Sequence, residues 1–167
     1  MILRADRINL QPIKPSDAAF YYNLLTDKDW IANIRDSKLE NIDAVEAYIK
    51  NTLIPNFNYR GLGFYVVRIT KTGESIGVST LIKREALKTV DLGYGFLPKG
   101  RGKGYAREAT LRLMKYISEE LQYPKVLAFT KPSNTPSQNL LIKIGFEAKG
   151  LKKVFDAEEA LFEYVFK

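Results

Sequence analysis

A strand-like run, a glycine-rich basic loop, a long amphipathic helix and a second short strand follow one another between residues 89 and 130. This succession constrains the fold more than any other feature of the chain. TVDLGYGFLP (89–98) reads as a strand, and Pro98 ends it by removing a ladder donor. From Tyr105 to Leu121, apolar residues recur at 106, 109, 113, 116, 117 and 121, the longest amphipathic helix in the sequence. KVLAFT (125–130) is a short, continuous apolar strand. Upstream, GFYVVRIT (63–70) and SIGVSTLIKR (75–84) flank KTGE, whose Gly73 suits a turn requiring positive φ. Strands that meander and then switch to βα units indicate a mixed sheet with helices on both faces, an α+β fold or α/β hybrid.

The remaining elements fit one layer or the other. RINLQPI (7–13) alternates as a first strand, and PSDAAFYYNLLTD offers Ser16 or Asp17 as the cap of a helix. Residues 28 to 41, which hold Trp30, read as irregular, and helical spacing resumes at Ile42, Val45, Tyr48, Ile49 and Leu53. NTPSQNLLIKIG has an Asn cap, Pro136 in its first turn and Gly145 as a stop. FEAKGLKKVF and ALFEYVFK read as two closing strands around DAEE. No repeat or linker divides the 167 residues, so a single domain over 1–167 is expected.

Two absences narrow the chemistry. The chain has no Cys, which excludes disulfides, thiolate nucleophiles and Cys-ligated zinc, and no His, which excludes a Ser-His-Asp triad and His-ligated metal. No metal site is therefore expected, and catalysis must use carboxylates, Lys, Tyr, Ser, backbone amides or a cofactor. A net charge of +7 favours anionic partners without choosing among a phosphorylated cofactor, RNA or an acidic surface. No apolar run approaches the roughly 20 residues of a membrane span, and MILRADRINL has charges where a secretory signal needs its apolar stretch. A cytoplasmic protein is expected.

The loop itself, LPKGRGKGYAREA (97–109), fails two familiar phosphate motifs. Gly95 and Gly100 have the P-loop spacing, but Arg101 and Gly102 follow in place of Lys and Ser or Thr. Gly100 and Gly102 begin a dinucleotide fingerprint, but Tyr105 stands where its third glycine belongs. What remains is a basic residue, Lys99, followed by Gly102 and Gly104 between a strand and a helix. Amides at a helix N-terminus can donate to phosphate oxygens, and glycines remove the Cβ atoms that would hold a phosphate away. Lys99, Arg101 and Lys103 add positive potential, and Ala106 and Ala109 allow close helix–sheet packing. The competing reading is a solvated basic loop.

These residues, in this order, resemble motif A of the GNAT acetyltransferases, (Gln/Arg)-x-x-Gly-x-(Gly/Ala). GKGYAREA is most similar to the RimJ/RimL-type branch. The similarity extends over essentially the whole chain: LRADRINLQPIKPSDA, SIGVSTLIKR, DLGYGFLP and SNTPSQNLLIKIGF follow in the family's order, the last through Asn134, Ser137, Leu140, Lys143, Gly145 and Phe146. The resemblance implies a GNAT fold, with a mixed, mostly antiparallel sheet whose strand at 89–98 splays from its parallel neighbour near 125–130. It implies acetyl-CoA as cosubstrate and direct acetyl transfer to a primary amine, such as a protein N-terminus or a small-molecule amine. The pantetheine arm is expected against Phe96 and Leu97, with a donor near Leu97 for the thioester oxygen. The pyrophosphate is expected on Lys99, Arg101, Gly102, Lys103, Gly104, Tyr105 and Ala106, with Asn134 and Lys143 lining the channel.

With no Cys, no cysteinyl-acyl intermediate can form. The family's frequent tyrosine acid is replaced by Leu141; the resemblance to the RimJ/RimL-type branch, which has Ser at the place of Ser137, implies Ser137 as the candidate acid, or as a helix-turn hydroxyl that only touches the cofactor. Asp91 is the candidate base, acting through water, or a partner of a surface Lys. Glu108 fits a helix-dipole role better. Trp30 and Tyr21 lie in segments expected to meet the acceptor, whose identity no residue fixes. A monomer, or a homodimer through the C-terminal strands, is compatible with the sequence. The alternative of another class is a non-catalytic RNA-binding module at RGLGFYVV (60–67), an RNP1 look-alike in which Leu62 replaces a stacking aromatic.

Overall fold

A computed structural model describes residues 1–154 and 157–167. Eight strands form one sheet: β1 (Leu3–Arg4), β2 (Ile8–Pro12), β3 (Gly63–Ile69), β4 (Ser75–Lys83), β5 (Val90–Phe96), β6 (Lys125–Thr130), β7 (Glu147–Val154) and β8 (Ala157–Val165). Their spatial order is β1-β2-β3-β4-β5-β6-β8-β7. Every neighbouring pair is antiparallel except β5 and β6, the strands that flank the long helix. The helices are α1 (Ala18–Leu25), α2 (Lys28–Asn33), α3 (Ile42–Tyr48), α4 (Ile54–Phe57), α5 (Tyr105–Glu119) and α6 (Thr135–Ile144).

Alternation along the strands divides the interior into two cores. Tyr65 and Val67 of β3, Leu81 of β4 and Leu92 of β5 join Leu113 and Ile117 of α5 and Leu141 of α6. Val66 and Val78, on the other face, join Leu24 of α1 and Val45 and Ile49 of the α3 region. Helices therefore cover both faces, and the fold is α+β as the sequence implies.

The differences from the sequence reading have local causes. Residues 28–33 are helical because the Asp27 side chain caps α2, accepting the Trp30 N–H. Neither Ser16 nor Asp17 caps α1 through its side chain; a 3₁₀ turn at Pro15–Asp17 intervenes, and Asp17 binds the Lys14 N–H and Arg68 instead. Helix α3 widens into a π-turn at Ile49–Leu53, where the Ile54 N–H reaches back five residues to Ile49. Pro55 follows and lacks the N–H of an ordinary turn. The turn expected at DAEE begins at Asp156, which with Phe155 lies outside the described residues; 157–159 belong to β8.

The RNP1-like segment offers no stacking surface for bases. Tyr65 and Val67 are buried in an interior strand, and Phe64 packs on Phe57. At the far edge, β7 is exposed along most of its length, and its register shifts between Ala148 and Leu151, where Gly150 takes φ +83°. Among the described residues no helix is long and apolar enough to cross a membrane.

Candidate active site

The parallel pair is short. Val90, Asp91 and Leu92 pair with Val126, Leu127 and Ala128, and beyond them the β5–β6 ladder stops while β5 stays paired to β4 as far as Phe96. A gap opens between Gly93–Phe96 and the end of β6. Hydrogen-bond parity decides which backbone groups face it. The Leu97 N–H donates to the Ile76 carbonyl on the β4 side, and the Leu97 carbonyl accepts from Gly100. The Leu97 amide itself is thus engaged, and a donor near Leu97 for the gap has to come from its neighbours. Alternation instead turns the N–H groups of Tyr94 and Phe96 toward the gap. The Phe96 carbonyl accepts from Arg101 Nε at 3.0 Å.

The glycine-rich loop follows directly. After a 3₁₀ turn at Pro98–Gly100, Gly102 adopts φ +71° and Gly104, the N-cap of α5, φ +82°. Both positions are left-handed, where a Cβ costs about 1–2 kcal/mol. A Cβ at Gly102 would meet nothing within 4 Å, so this glycine answers to backbone shape and open approach, not to internal packing.

The loop's cations are mostly engaged within the protein. Arg101 binds Asp27 at 2.7 Å and Asp29 at 2.6 Å, clasping the loop to the start of α2. Lys99 lies 3.5 Å from Glu74, and the Lys103 ammonium donates to the Lys99 carbonyl. Positive potential at the loop thus comes less from Arg101 than its sequence position suggests. Arg7, which the sequence reading passed over, holds the helix start. Its Nε and backbone N–H donate to Glu108, its Nη1 donates to the Lys103 carbonyl, and its guanidinium lies 4.5 Å from the Tyr105 ring centroid.

Burial pulls the Asp27 carboxyl upward, but the hydrogen bonds from Arg101 and Trp30 outweigh it and hold the group below its ordinary 3.8. The sign follows: its stabilisation is complete above that value and lost as pH falls below it. Asp27→Asn keeps the cap acceptor and removes the charge, so acid denaturation should lose part of its steepness below about pH 4. Asp27→Ala should also cost about 1 kcal/mol at neutral pH through the cap. Denaturant melts across pH 2–7 check both.

The gap opens into a cavity of about 560 Å³. Of the predicted residues, Tyr21, Trp30, Asp91, Asn134 and Ser137 line it, whereas Phe96, Leu97, Lys99, Arg101, Gly102, Lys103, Gly104, Tyr105, Ala106 and Lys143 do not. The loop residues are continuous with it in sequence. Lys143 stands apart from the cavity lining, exposed in the last turn of α6, where it complements the helix dipole.

Two sides of the cavity matter. On the α1–α4 side, Gly95 admits the Trp30 ring, because a Cβ there would lie 2.7 Å from its Cε3. Trp30 in turn meets Tyr21 edge-on, with centroids 6.4 Å apart. Asp91 shares this face by alternation with Gly93 and Gly95. It is 5% exposed and accepts from Arg84 Nε at 2.9 Å and Nη2 at 3.4 Å. Burial still raises its carboxyl above the ordinary value despite Arg84. Glu159 of β8, a second lining carboxylate, is also raised by burial, against the field of Lys131.

On the α6 side, Asn134 caps the helix by accepting the Ser137 N–H at 3.4 Å. The Tyr94 hydroxyl lies 3.0 Å from Ser137 Oγ and 3.3 Å from the Ser137 carbonyl. Burial raises the Tyr94 pKa, with the Ser137 contact opposing, so the phenol stays protonated and able to donate. No spacing rule links these residues, 43 positions apart. Among the described residues no three His, Cys, Asp or Glu side chains are grouped to hold a metal ion.

A splayed parallel pair, left-handed glycines at the start of the following helix and a cavity at the gap are the features that the GNAT resemblance implies, and the comparisons with known proteins agree. Residues 7–147 match the acetyltransferase (GNAT) domain, and the chain belongs to that family. The alanine N-acetyltransferase of ribosomal protein uS5 from Escherichia coli is 30% identical over 104 residues, 60% of this chain and 54% of that one. YkkB of Bacillus subtilis is 26% identical over 96% of this chain and 94% of its own, whereas the match to the N-acetyltransferase YnaD of the same organism, 34% identical, covers 39% of this chain and 38% of that protein. A GNAT-family acetyltransferase from Bacillus anthracis superimposes with TM-score 0.82 at 22% identity over 99% and 98% of the two chains. The RimL ribosomal L7/L12 α-N-protein acetyltransferase in complex with coenzyme A gives 0.81 at 15% identity over 99% and 98%. These relatives support the RimJ/RimL-type branch.

Proposed function

We propose that this chain transfers the acetyl group of acetyl-CoA directly to a primary amine. One observation carries the reading: Tyr94 and Phe96 present unpaired-side N–H groups to a gap that opens into the cavity and that the glycine-rich loop follows directly in sequence. An amide-bearing pantetheine arm would complete that edge as an added strand does. Gly102 to Ala106 would meet the pyrophosphate at the start of α5. The N–H of Tyr94 or Phe96 is placed for the thioester oxygen as it gains charge. Asn134 would line the arm.

The two candidate proton carriers flank the gap from opposite faces of the sheet. Asp91, raised by burial, accepts the proton of the amine through water on the α1–α4 side. Ser137 donates to the departing thiolate on the α6 side, with the Tyr94 hydroxyl behind it to donate in turn. A thiol has a pKa near 8.5, so this help is modest and a serine suffices. An α-amine, near 7.7–8.0, needs less from the base than a lysine amine near 10.4.

Coenzyme A release over a panel of amines tests the activity. Ser137→Ala should lower kcat about a hundredfold with acetyl-CoA affinity unchanged. Tyr94→Phe should cost about tenfold, and the double variant should be no slower than Ser137→Ala alone. Full turnover in Ser137→Ala rejects the acid assignment. The rate should fall as pH drops through an acid limb lying above 3.8, and Asp91→Asn should abolish that limb.

A further inference from the structure

Resting on the acetyltransfer reading, we infer that the acceptor is an amine carrying a carboxylate close by, which Arg35 receives. The fold alone does not choose the acceptor: the neighbours include a spermidine N-acetyltransferase chimera from Vibrio cholerae, TM-score 0.77 at 17% identity, as well as RimL. The cavity's own charges do choose. Arg35, Arg84 and Lys131 line it against Asp91 and Glu159. Asp91 holds Arg84 through two hydrogen bonds, and Glu159 lies in the field of Lys131. The Lys131 ammonium also donates to the Ala32 carbonyl at the end of α2. Among the described lining residues no further carboxylate answers Arg35, whose Nη2 donates to the Tyr48 hydroxyl at 3.1 Å.

A polyamine would bring additional ammonium groups into this surplus of positive charge, with every lining carboxylate already facing a cation. A carboxylate balances it. Two donors on the same stretch wait for an acceptor's polar groups: Trp30 Nε1 and Ser37 Oγ are buried without a hydrogen-bond partner, and both residues line the cavity. Indole N–H is a donor only, so it calls for a carbonyl or carboxylate oxygen. Arg35, Trp30 and Ser37, all lining the cavity from one short stretch of chain, thus offer donors that a peptide unit with an acidic side chain, or an acidic amino acid, would satisfy.

Dipeptide amides alanyl-glutamate, alanyl-glutamine and alanyl-lysine share one α-amine environment and differ in charge at the second residue. Acetylation should be fastest for the glutamate peptide, with kcat/KM about tenfold above the lysine peptide and spermidine slowest. Free glutamate in the same assay separates a small acidic substrate from a peptide N-terminus, whichever is faster. Arg35 is exposed, so Arg35→Glu can be made without opening a core, and it should reverse the glutamate-to-lysine order, while Arg35→Gln should level it. Equal or faster use of the lysine peptide or spermidine, an unchanged order in Arg35→Glu, or no acceptor turning over on a protein that binds acetyl-CoA overturns the inference. Absence of acetyl-CoA binding overturns the acetyltransfer reading instead.

Discussion

Gly102→Glu should weaken acetyl-CoA binding about a hundredfold, or about 2.7 kcal/mol, in a protein that still folds. The two halves of that expectation have separate causes. A Cβ at this position meets nothing within 4 Å, so no neighbour must move. The backbone φ of +71° makes any side chain cost about 1–2 kcal/mol, which at this chain length lowers Tm by about 2–8 °C. The larger effect falls on the ligand, since a carboxylate about 4 Å from a phosphate repels it by about 4 kcal/mol at an effective dielectric of 20. Gly102→Ala separates them, carrying the strain without the charge. Calorimetric titration with acetyl-CoA is the measurement. Normal affinity in Gly102→Glu would remove the loop from the pyrophosphate site.

The second large effect is expected on the opposite wall. Gly95→Val places its Cβ 2.7 Å from Trp30 Cε3 and 3.2 Å from Ile34 Cδ1. Residue 95 cannot retreat, because β5 is paired to β4 there through Val78. Trp30 must yield, and with it α2, whose capping Asp27 is tied to the glycine-rich loop through Arg101. Overpacking of this kind costs about 1–3 kcal/mol, and at this chain length Tm should fall by about 2–12 °C. The acceptor's KM should rise far more than the affinity for acetyl-CoA falls. Adding Trp30→Ala should recover part of the lost stability, a coupling that unrelated damage would not show. Independent, additive losses would mean that the ring and the glycine do not depend on each other.

What the sequence discloses follows from how local each determinant is. KVLAFT is a strand at its expected bounds because an apolar run between a Pro and a polar turn is self-contained. The Asn134 cap and the Gly145 stop lie within the helix they delimit, and both are read directly. By contrast, α2 is six residues long and leans on Asp27 and the distant Arg101, so no periodicity announces it. The orientation of the Leu97 amide depends on strand register, a property of two strands that neither displays alone. Ser137 was visible through its segment, but its partner Tyr94 was not, since only the β5–α6 packing brings them together. Arg7 and Glu108, 101 positions apart, are a further case. Charge surplus in the cavity is likewise collective: Arg35 acquires its meaning from where Asp91 and Glu159 are already engaged.

The sheet's two ends bear on how the protein behaves in a crowded solution. An open sheet leaves a row of unsatisfied backbone groups at each margin, a template on which a second chain can add. One margin here is β1, only two residues long. The other is β7, kinked by the register shift at Gly150 and carrying Lys149, Lys152 and Lys153. Brevity guards the first and a bulge with a lysine fringe guards the second, so strand addition between copies is opposed at both, and association through the C-terminal strands would have to use their faces instead of their edge.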